Sequence, residues 1–313
     1  PAFESGNVPD DFYKDGKVAA LAVETLGTLA KKREPFFLAV GFAKPHLPFV
    51  SPKKYWDMYD PAEIRLAPNP YRPKDAPDYA LTTSGELRNY HGMPDNGPVP
   101  DDLARKLKHG YYAAASYTDA QIGKVLDQLD RLGLRKNTVI VLWGDHGWKL
   151  GEHGEWCKHS NVENDTNAPL LFSAPGMKAA GQSSKALVEF VDIYPTLADV
   201  AGLPLPRHLE GISFKPLLDD PKRPWKSAAF SQYPRGRKLM GYSMRTERYR
   251  FTVWLDRQDH SKVEAVELYD HQTDPQENTN IAGQPANADL VNRLMAQWKQ
   301  GWPSAKPAAS GRA

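Results

Sequence analysis

Residues 138–161 read TVIVLWGDHGWKLGEHGEWCKHSN. The stretch opens as a continuous apolar run, Thr138 to Trp143, the mark of a strand buried on both faces. It breaks at Gly144-Asp145-His146-Gly147, where the glycines permit sharp turns. In an open α/β sheet, ligands bind beyond the carboxyl ends of the strands. Asp145 and His146 are therefore candidate metal ligands. A carboxylate and an imidazole on adjacent loop residues can face one ion, whereas on a strand they would point apart. Further along the same loop, Lys158 offers a point charge for an anionic substrate oxygen. The plainer alternatives are a loop cap with a hydrogen-bonded surface histidine, and a solvated lysine.

A second apolar run, Phe36 to Phe42 (FFLAVGF), predicts another buried strand ending in a reactive loop, Lys44-Pro-His46-Leu-Pro48. Its prolines forbid both helix and ladder. His46, on this fixed backbone, is a candidate donor to an anion or a leaving group, or else a rigid histidine packed on aromatics. Helical spacing predicts helices over 16–32 and 101–132. Pro169–Ala174 and Leu187–Val191 predict two more strands. The last of these feeds a helix at 193–201, capped by Asp192 and stopped by Gly202. Residues 51–100 are proline-rich and long enough for a lid. This alternation argues for an α/β fold with a mostly parallel sheet flanked by helices.

After about residue 222 the pattern changes. Ala228–Tyr233, Met240–Arg245, Tyr249–Leu255 and Val263–Tyr269 are short β-branched or aromatic runs, which predict a small antiparallel sheet. A helix through Leu290, Val291, Leu294 and Trp298 follows, and the tail from Pro303 is expected to be disordered. The expected division is 1–222 catalytic α/β domain, 223–302 small α+β subdomain and 303–313 tail.

Composition excludes several function classes. Lys plus Arg number 40 against 38 Asp plus Glu, a net charge of +2, so no basic excess supports nucleic-acid or membrane binding. A single cysteine, Cys157, excludes an internal disulfide and a Cys-cluster zinc site. Nothing in its sequence neighbourhood marks it as a nucleophile. His153 and His159 read as loop-capping or supporting residues. No stretch reaches the length of a transmembrane helix. The chain opens at Pro1 without a signal-peptide pattern, which predicts a processed or partial chain. No phosphate-binding glycine loop and no Gly-x-Ser-x-Gly elbow occurs, and Asn164-Asp-Thr166 fits a glycosylation sequon.

The run WGDHGWKLGEHGEWCKHSN (143–161) resembles the metal and substrate loop of the sulfatase family, specifically its iduronate-2-sulfatase-like branch. FFLAVGFAKPHLPFVSPKKYWDMY (36–59), YYAAASYTDAQIGKVLDQLD (111–130) and VEFVDIYPTLADVAGL (188–203) are similar to the same branch. So are LEGISFKPLL (209–218), SQYPR (231–235), MGYSMRTERYRFTVW (240–254) and ELYDHQTDPQENTNIA (267–282). The resemblance implies an alkaline-phosphatase-like fold, incomplete at its N-terminal side. It implies that Asp145 and His146 bind Ca2+, that Lys158 contacts the substrate sulfate, and that His46 hydrogen-bonds the sulfate and protonates the leaving alcohol. It further implies a sulfated carbohydrate substrate, such as a 2-O-sulfated uronic acid, and export to the periplasm, lysosome or cell exterior. Family members attack sulfur with a formylglycine made from Cys or Ser in C/S-x-P-x-R. That motif does not occur here, and the Asp-Asp pairs Asp101-Asp102 and Asp219-Asp220 do not follow a buried strand. A missing N-terminal segment, inactivity of the chain alone and a second polypeptide carrying the nucleophile are the resulting expectations. Two other readings stand beside this one: a phosphoester or phosphonate hydrolase with His208 as an extra metal ligand, and a non-catalytic partner module.

Overall fold

The computed structural model describes residues 1–32 and 34–307. In chain order the first elements are β1 (Phe3–Gly6), α1 (Lys14–Lys32), β2 (Phe49–Pro52), α2 (Lys53–Trp56), α3 (Gly85–Arg88) and α4 (Asp101–Arg131). β3 (Ile140–Trp143), β4 (Lys149–Leu150), β5 (Trp156–Cys157), α5 (Glu163–Thr166), β6 (Leu170–Ser173) and α6 (Ile193–Val200) follow. The chain then runs through β7 (Ala228–Arg235), β8 (Leu239–Thr246), β9 (Tyr249–Asp256), β10 (Val263–Asp270) and α7 (Ala288–Ser304). Among the described residues no helix is long and apolar enough to cross a membrane.

The chain forms two compact units that do not divide at residue 222. The first comprises Pro1–Pro70, Thr83–Thr138 and Leu150–Cys157; the second comprises Tyr71–Thr82, Val139–Lys149 and the chain from Lys158 onward. Residues 51–100 are thus shared between the units.

In the first unit the two predicted long helices form, and small residues let them pack closely: Ala19 and Ala22 on α1, Ala113 and Ala114 on α4, all buried. Gly110 of α4 is required by contact, since a Cβ there would stand 2.9 Å from the Trp56 ring and 3.0 Å from Phe49. β1 and β2 pair in parallel, Phe3 opposite Phe49. The expected buried strand at 36–42 is not formed. The chain there has no regular structure and no ladder partner among the described residues, and Phe37 is 85% exposed. An apolar run becomes a strand only where a neighbour takes its N–H and C=O groups, and no described strand lies alongside.

In the second unit β3 and β6 pair antiparallel, Ile140 opposite Ser173 and Trp143 opposite Leu170. Among the described residues the α/β part therefore holds separate two-stranded sheets, including the parallel β1-β2 pair and the antiparallel β3-β6 pair. β3 is half-buried rather than enclosed, and among the described residues nothing covers Trp143, which is 48% exposed. Leu187–Val191 is also not a strand. Leu187 makes a single antiparallel bridge to Lys226, and the chain then turns through a short 3-10 segment at Phe190–Asp192. A capping box between Glu189 and Asp192 closes that turn and outcompetes extension. The expected helix follows as α6, with Gly202 at φ +71° two residues past its end, but Asp192 makes no side-chain cap hydrogen bond to it.

The C-terminal sheet forms in the order β10-β9-β8-β7, entirely antiparallel. Phe251, Val253 and Leu255 of β9 point into a core with Met244, Leu268 and Leu294 of α7. The described chain stays ordered past residue 303: Pro303 and Ser304 close α7, and Ala305 is buried in the same core. Its carbonyl accepts from the Ser227 N–H at 2.9 Å. The tail from 308 lies outside the described residues.

Candidate functional site

His46 lies in the first unit, on a loop built without regular structure. Two prolines in cis linkage, Pro45 and Pro48, bracket it. Buried Asp15 of α1 accepts the Ala43 N–H at 3.0 Å and the Lys44 N–H at 2.8 Å, fixing the entry to the loop. The Lys44 ammonium folds inward and donates to the His46 carbonyl at 2.7 Å and the Pro48 carbonyl at 2.8 Å. Burial pulls the Lys44 amine down to about 8, a shift that the nearby Asp15 charge only partly offsets. His46 Nδ1 is 2.7 Å from the Leu47 carbonyl, and Nε2 is 2.8 Å from Glu86 Oε1. Glu86 sits on α3, whose preceding residue Ser84 accepts the Trp156 N–H at 2.9 Å.

Asp145, His146 and Lys158 lie in the second unit, and side chains link them in series. His146 Nε2 stands 3.5 Å from Asp145 Oδ2. Its Nδ1 is 2.8 Å from the Gly147 carbonyl. A carbonyl only accepts, so Nδ1 carries a proton, and Nε2 is the ring nitrogen left on the Asp145 side for a metal ion to take. The His146 ring stacks on Trp148 with centroids 5.9 Å apart, and Lys158 Nζ lies 4.9 Å from the Trp148 ring centre. Asp145 is exposed. A carboxylate oxygen and an imidazole nitrogen on one side of a turn, that close together, suit neighbouring positions in the shell of one divalent ion.

The Asp145–Lys149 turn is held from below. Fully buried Lys149 donates to Asp165 Oδ2 at 2.7 Å and to Ser160 Oγ at 2.8 Å. The Gly147 N–H reaches the Asp165 carbonyl at 2.8 Å. A Cβ on Gly147 would stand 1.9 Å from the Asn164 carbonyl oxygen, so this position needs glycine for close approach. Beside Lys158, the His159 carbonyl accepts from Arg235 at 2.6 Å.

The remaining sequence candidates separate cleanly. Cys157 is buried, with φ +71°, which suits a structural residue rather than an accessible nucleophile. His153 is buried, and its N–H donates to the Asn69 carbonyl at 2.8 Å. His208 is exposed on a loop. The sequence reading missed Glu86, Lys149, Asp165 and a cluster around Arg250. In that cluster Glu163, His271 and Glu277 bring ligand atoms within 4.8 Å of one another. The charge they share is that of buried Arg250, which donates to Glu277 at 2.6 Å and also to Glu163. Burial alone would raise the Glu277 carboxyl; the Arg250 charge and hydrogen bonds from His271 and the Glu163 N–H bring it down to about 2. This is an internal ion-pair network whose partners are remote in sequence, which is why no local pattern announced it.

The sulfatase family model matches residues 1–203, and the C-terminal model of N-sulphoglucosamine sulphohydrolase matches residues 151–301. The chain belongs to the sulfatase family. It is 33% identical to iduronate 2-sulfatase of Homo sapiens, in an alignment covering 92% of this chain and 66% of that protein. The chain thus spans just under two thirds of that relative. Among solved structures, a phosphonate monoester hydrolase from Silicibacter pomeroyi superposes with a TM-score of 0.78 at 25% identity, over 95% of this chain and 61% of that one. A protein solved in complex with its substrate D-glucosamine-2-N,6-O-disulfate superposes with a TM-score of 0.71 at 22% identity, over 93% of this chain and 72% of that one. The latter likeness speaks to the fold alone. The expected α/β sulfatase fold, with its small antiparallel sheet and closing helix, is the fold of this sulfatase-family chain.

Proposed function

We propose that the chain forms part of a sulfuric ester hydrolase acting on a sulfated sugar or glycosaminoglycan-like substrate outside the cytoplasm. The observation that carries this reading is the Asp145–His146–Trp148–Lys158 series. It offers two metal donors 3.5 Å apart and a lysine on one loop of a sulfatase-family chain. Asp145 and His146 would hold a divalent cation, calcium by the family resemblance. Calcium takes six to eight ligands, so these two make up only part of its shell. Bound there, the ion would polarise a sulfate oxygen. Lys158 would neutralise a second sulfate oxygen, and His46 would donate to the leaving alcohol. Formylglycine is assigned to a segment outside residues 1–313, because no C/S-x-P-x-R occurs within them. The sulfated-sugar substrate is supported by the name of the iduronate 2-sulfatase relative.

Isothermal titration of the chain with CaCl2 tests the metal assignment. Wild type should bind, Asp145→Ala should not, and equal binding by both would refute the assignment. The chain alone should leave p-nitrophenyl sulfate intact; turnover abolished by Asp145→Ala would show that its nucleophile lies within these residues. The phosphonate monoester hydrolase likeness favours one second reading, hydrolysis of a phosphonate ester. Competition between sulfate and methylphosphonate for the metal-loaded chain separates the two. Tighter binding of sulfate supports the first.

A further inference from the structure

His46 has two ring nitrogens, and both face acceptors. Nδ1 is committed to the Leu47 carbonyl at 2.7 Å, within the same proline-bracketed loop. A carbonyl oxygen has no proton to give, so Nδ1 carries one. All remaining chemistry of the ring is at Nε2, and Glu86 Oε1 is 2.8 Å away from it. Two lone pairs do not meet at that distance, so a proton lies between Nε2 and the carboxyl group, whichever of the two formally owns it.

Glu86 is held in place for this contact. It lies on a four-residue helix entered through Ser84, which has φ 56° and whose hydroxyl is bonded by the Trp156 N–H. Two residues on, Arg88 ties the segment together by donating to the Thr83, Pro94 and Gly97 carbonyls at 2.7, 2.8 and 2.7 Å. Glu86 also faces Tyr90: burial first, and then the charge of Glu86, raise the Tyr90 hydroxyl. The His46 side chain is 42% exposed and that of Glu86 is 20% exposed, so solvent and ligands reach the pair from the histidine side.

We infer that Glu86 is the positioning residue of His46, holding a proton on Nε2 until a ligand oxygen takes Glu86's place. The inference rests on the sulfatase reading only for what that proton does. As an oxygen nucleophile bonds to sulfur and the ester S–O bond breaks, its electron pair leaves with the alcohol oxygen. That oxygen then takes the Nε2 proton. Glu86 is the group that keeps His46 proton-loaded and its ring edge oriented beforehand.

Low-temperature proton NMR of residues 1–313 tests this without needing turnover. Wild type should show a far-downfield resonance from the Nε2–H···Glu86 bond, assigned by its loss in His46→Gln. Glu86→Gln, which keeps a neutral acceptor, should move that signal upfield. Glu86→Ala should abolish it, with the rest of the amide fingerprint intact in both variants. Absence of the resonance in wild type, or its persistence in Glu86→Ala, overturns the inference. Should Glu86→Ala not fold, the Glu86→Gln shift decides: an unmoved signal overturns the inference. Added sodium sulfate distinguishes the two claims. A His46 signal present but indifferent to sulfate counts against the sulfatase role of His46, while the Glu86 result stands.

Discussion

Each candidate loop hangs from an inward-pointing lysine, half-buried Lys44 in one and fully buried Lys149 in the other, and the two are satisfied differently. Lys44 in the first unit donates to two neutral carbonyls of its own loop, and burial drags its amine down to about 8. Lys149 in the second unit is fully buried yet faces a full counter-charge, Asp165, with Ser160 alongside. The segments 44–48 and 144–148 both lack regular structure: prolines break the first and glycines the second. An inward-pointing ammonium with three donors replaces the missing ladder by stapling backbone oxygens or a carboxylate. The carbonyl-bonded lysine has its amine pulled down by burial, and the ion-paired lysine is the one whose partner carries a full charge.

The largest effect that could break this comparison is Asp165→Ala. It strands a buried ammonium and should cost about 3–5 kcal/mol by urea denaturation. Lys44→Met should cost less, on the order of 1–3 kcal/mol, because only hydrogen bonds to neutral carbonyls are lost. Equal costs would remove the distinction. Next comes Gly147→Ala. The new methyl would meet the Asn164 carbonyl at 1.9 Å, so the turn must shift, at about 1–3 kcal/mol, with calcium binding weakened in the same titration.

The smallest effects are in pH. The Lys44 amine titrates near 8 when folded and at 10.5 when unfolded, so between those values the unfolded state holds more protons. The contribution of this group to stability therefore rises with pH from about 8 to about 10.5, and Lys44→Met should flatten that rise. At the acid end, Glu277 is depressed to about 2 from 4.5. Its contribution is complete above 4.5 and is lost as pH falls toward 2, a loss that Glu277→Gln should remove from the melting profile.

Legibility of the sequence followed the range of the forces involved. Helices α1 and α4 and strands β7–β10 were readable because their apolar spacing is local and their partners are within the chain. The run 36–42 has equally clear spacing, but a strand also needs a neighbour, and among the described residues it has none. Leu187–Val191 was apolar enough for a strand, yet two carboxylates at Glu189 and Asp192 turned it. In the sites, Asp145 and His146 were legible as adjacent donors after an apolar run. Glu86 was not, because its contact with His46 spans forty positions of sequence and no pattern near Glu86 differs from that of a surface helix.

The sequence by itself determined the sulfatase family, the two long helices, the C-terminal sheet and the reactive residue types, since each is written in local pattern or contiguous motif. Only the tertiary structure decided which His146 nitrogen is presented, which carboxylate meets His46, and which lysine each loop is hung from. Those are matters of one hydrogen-bond length between remote residues, and such distances exist only once the chain is folded.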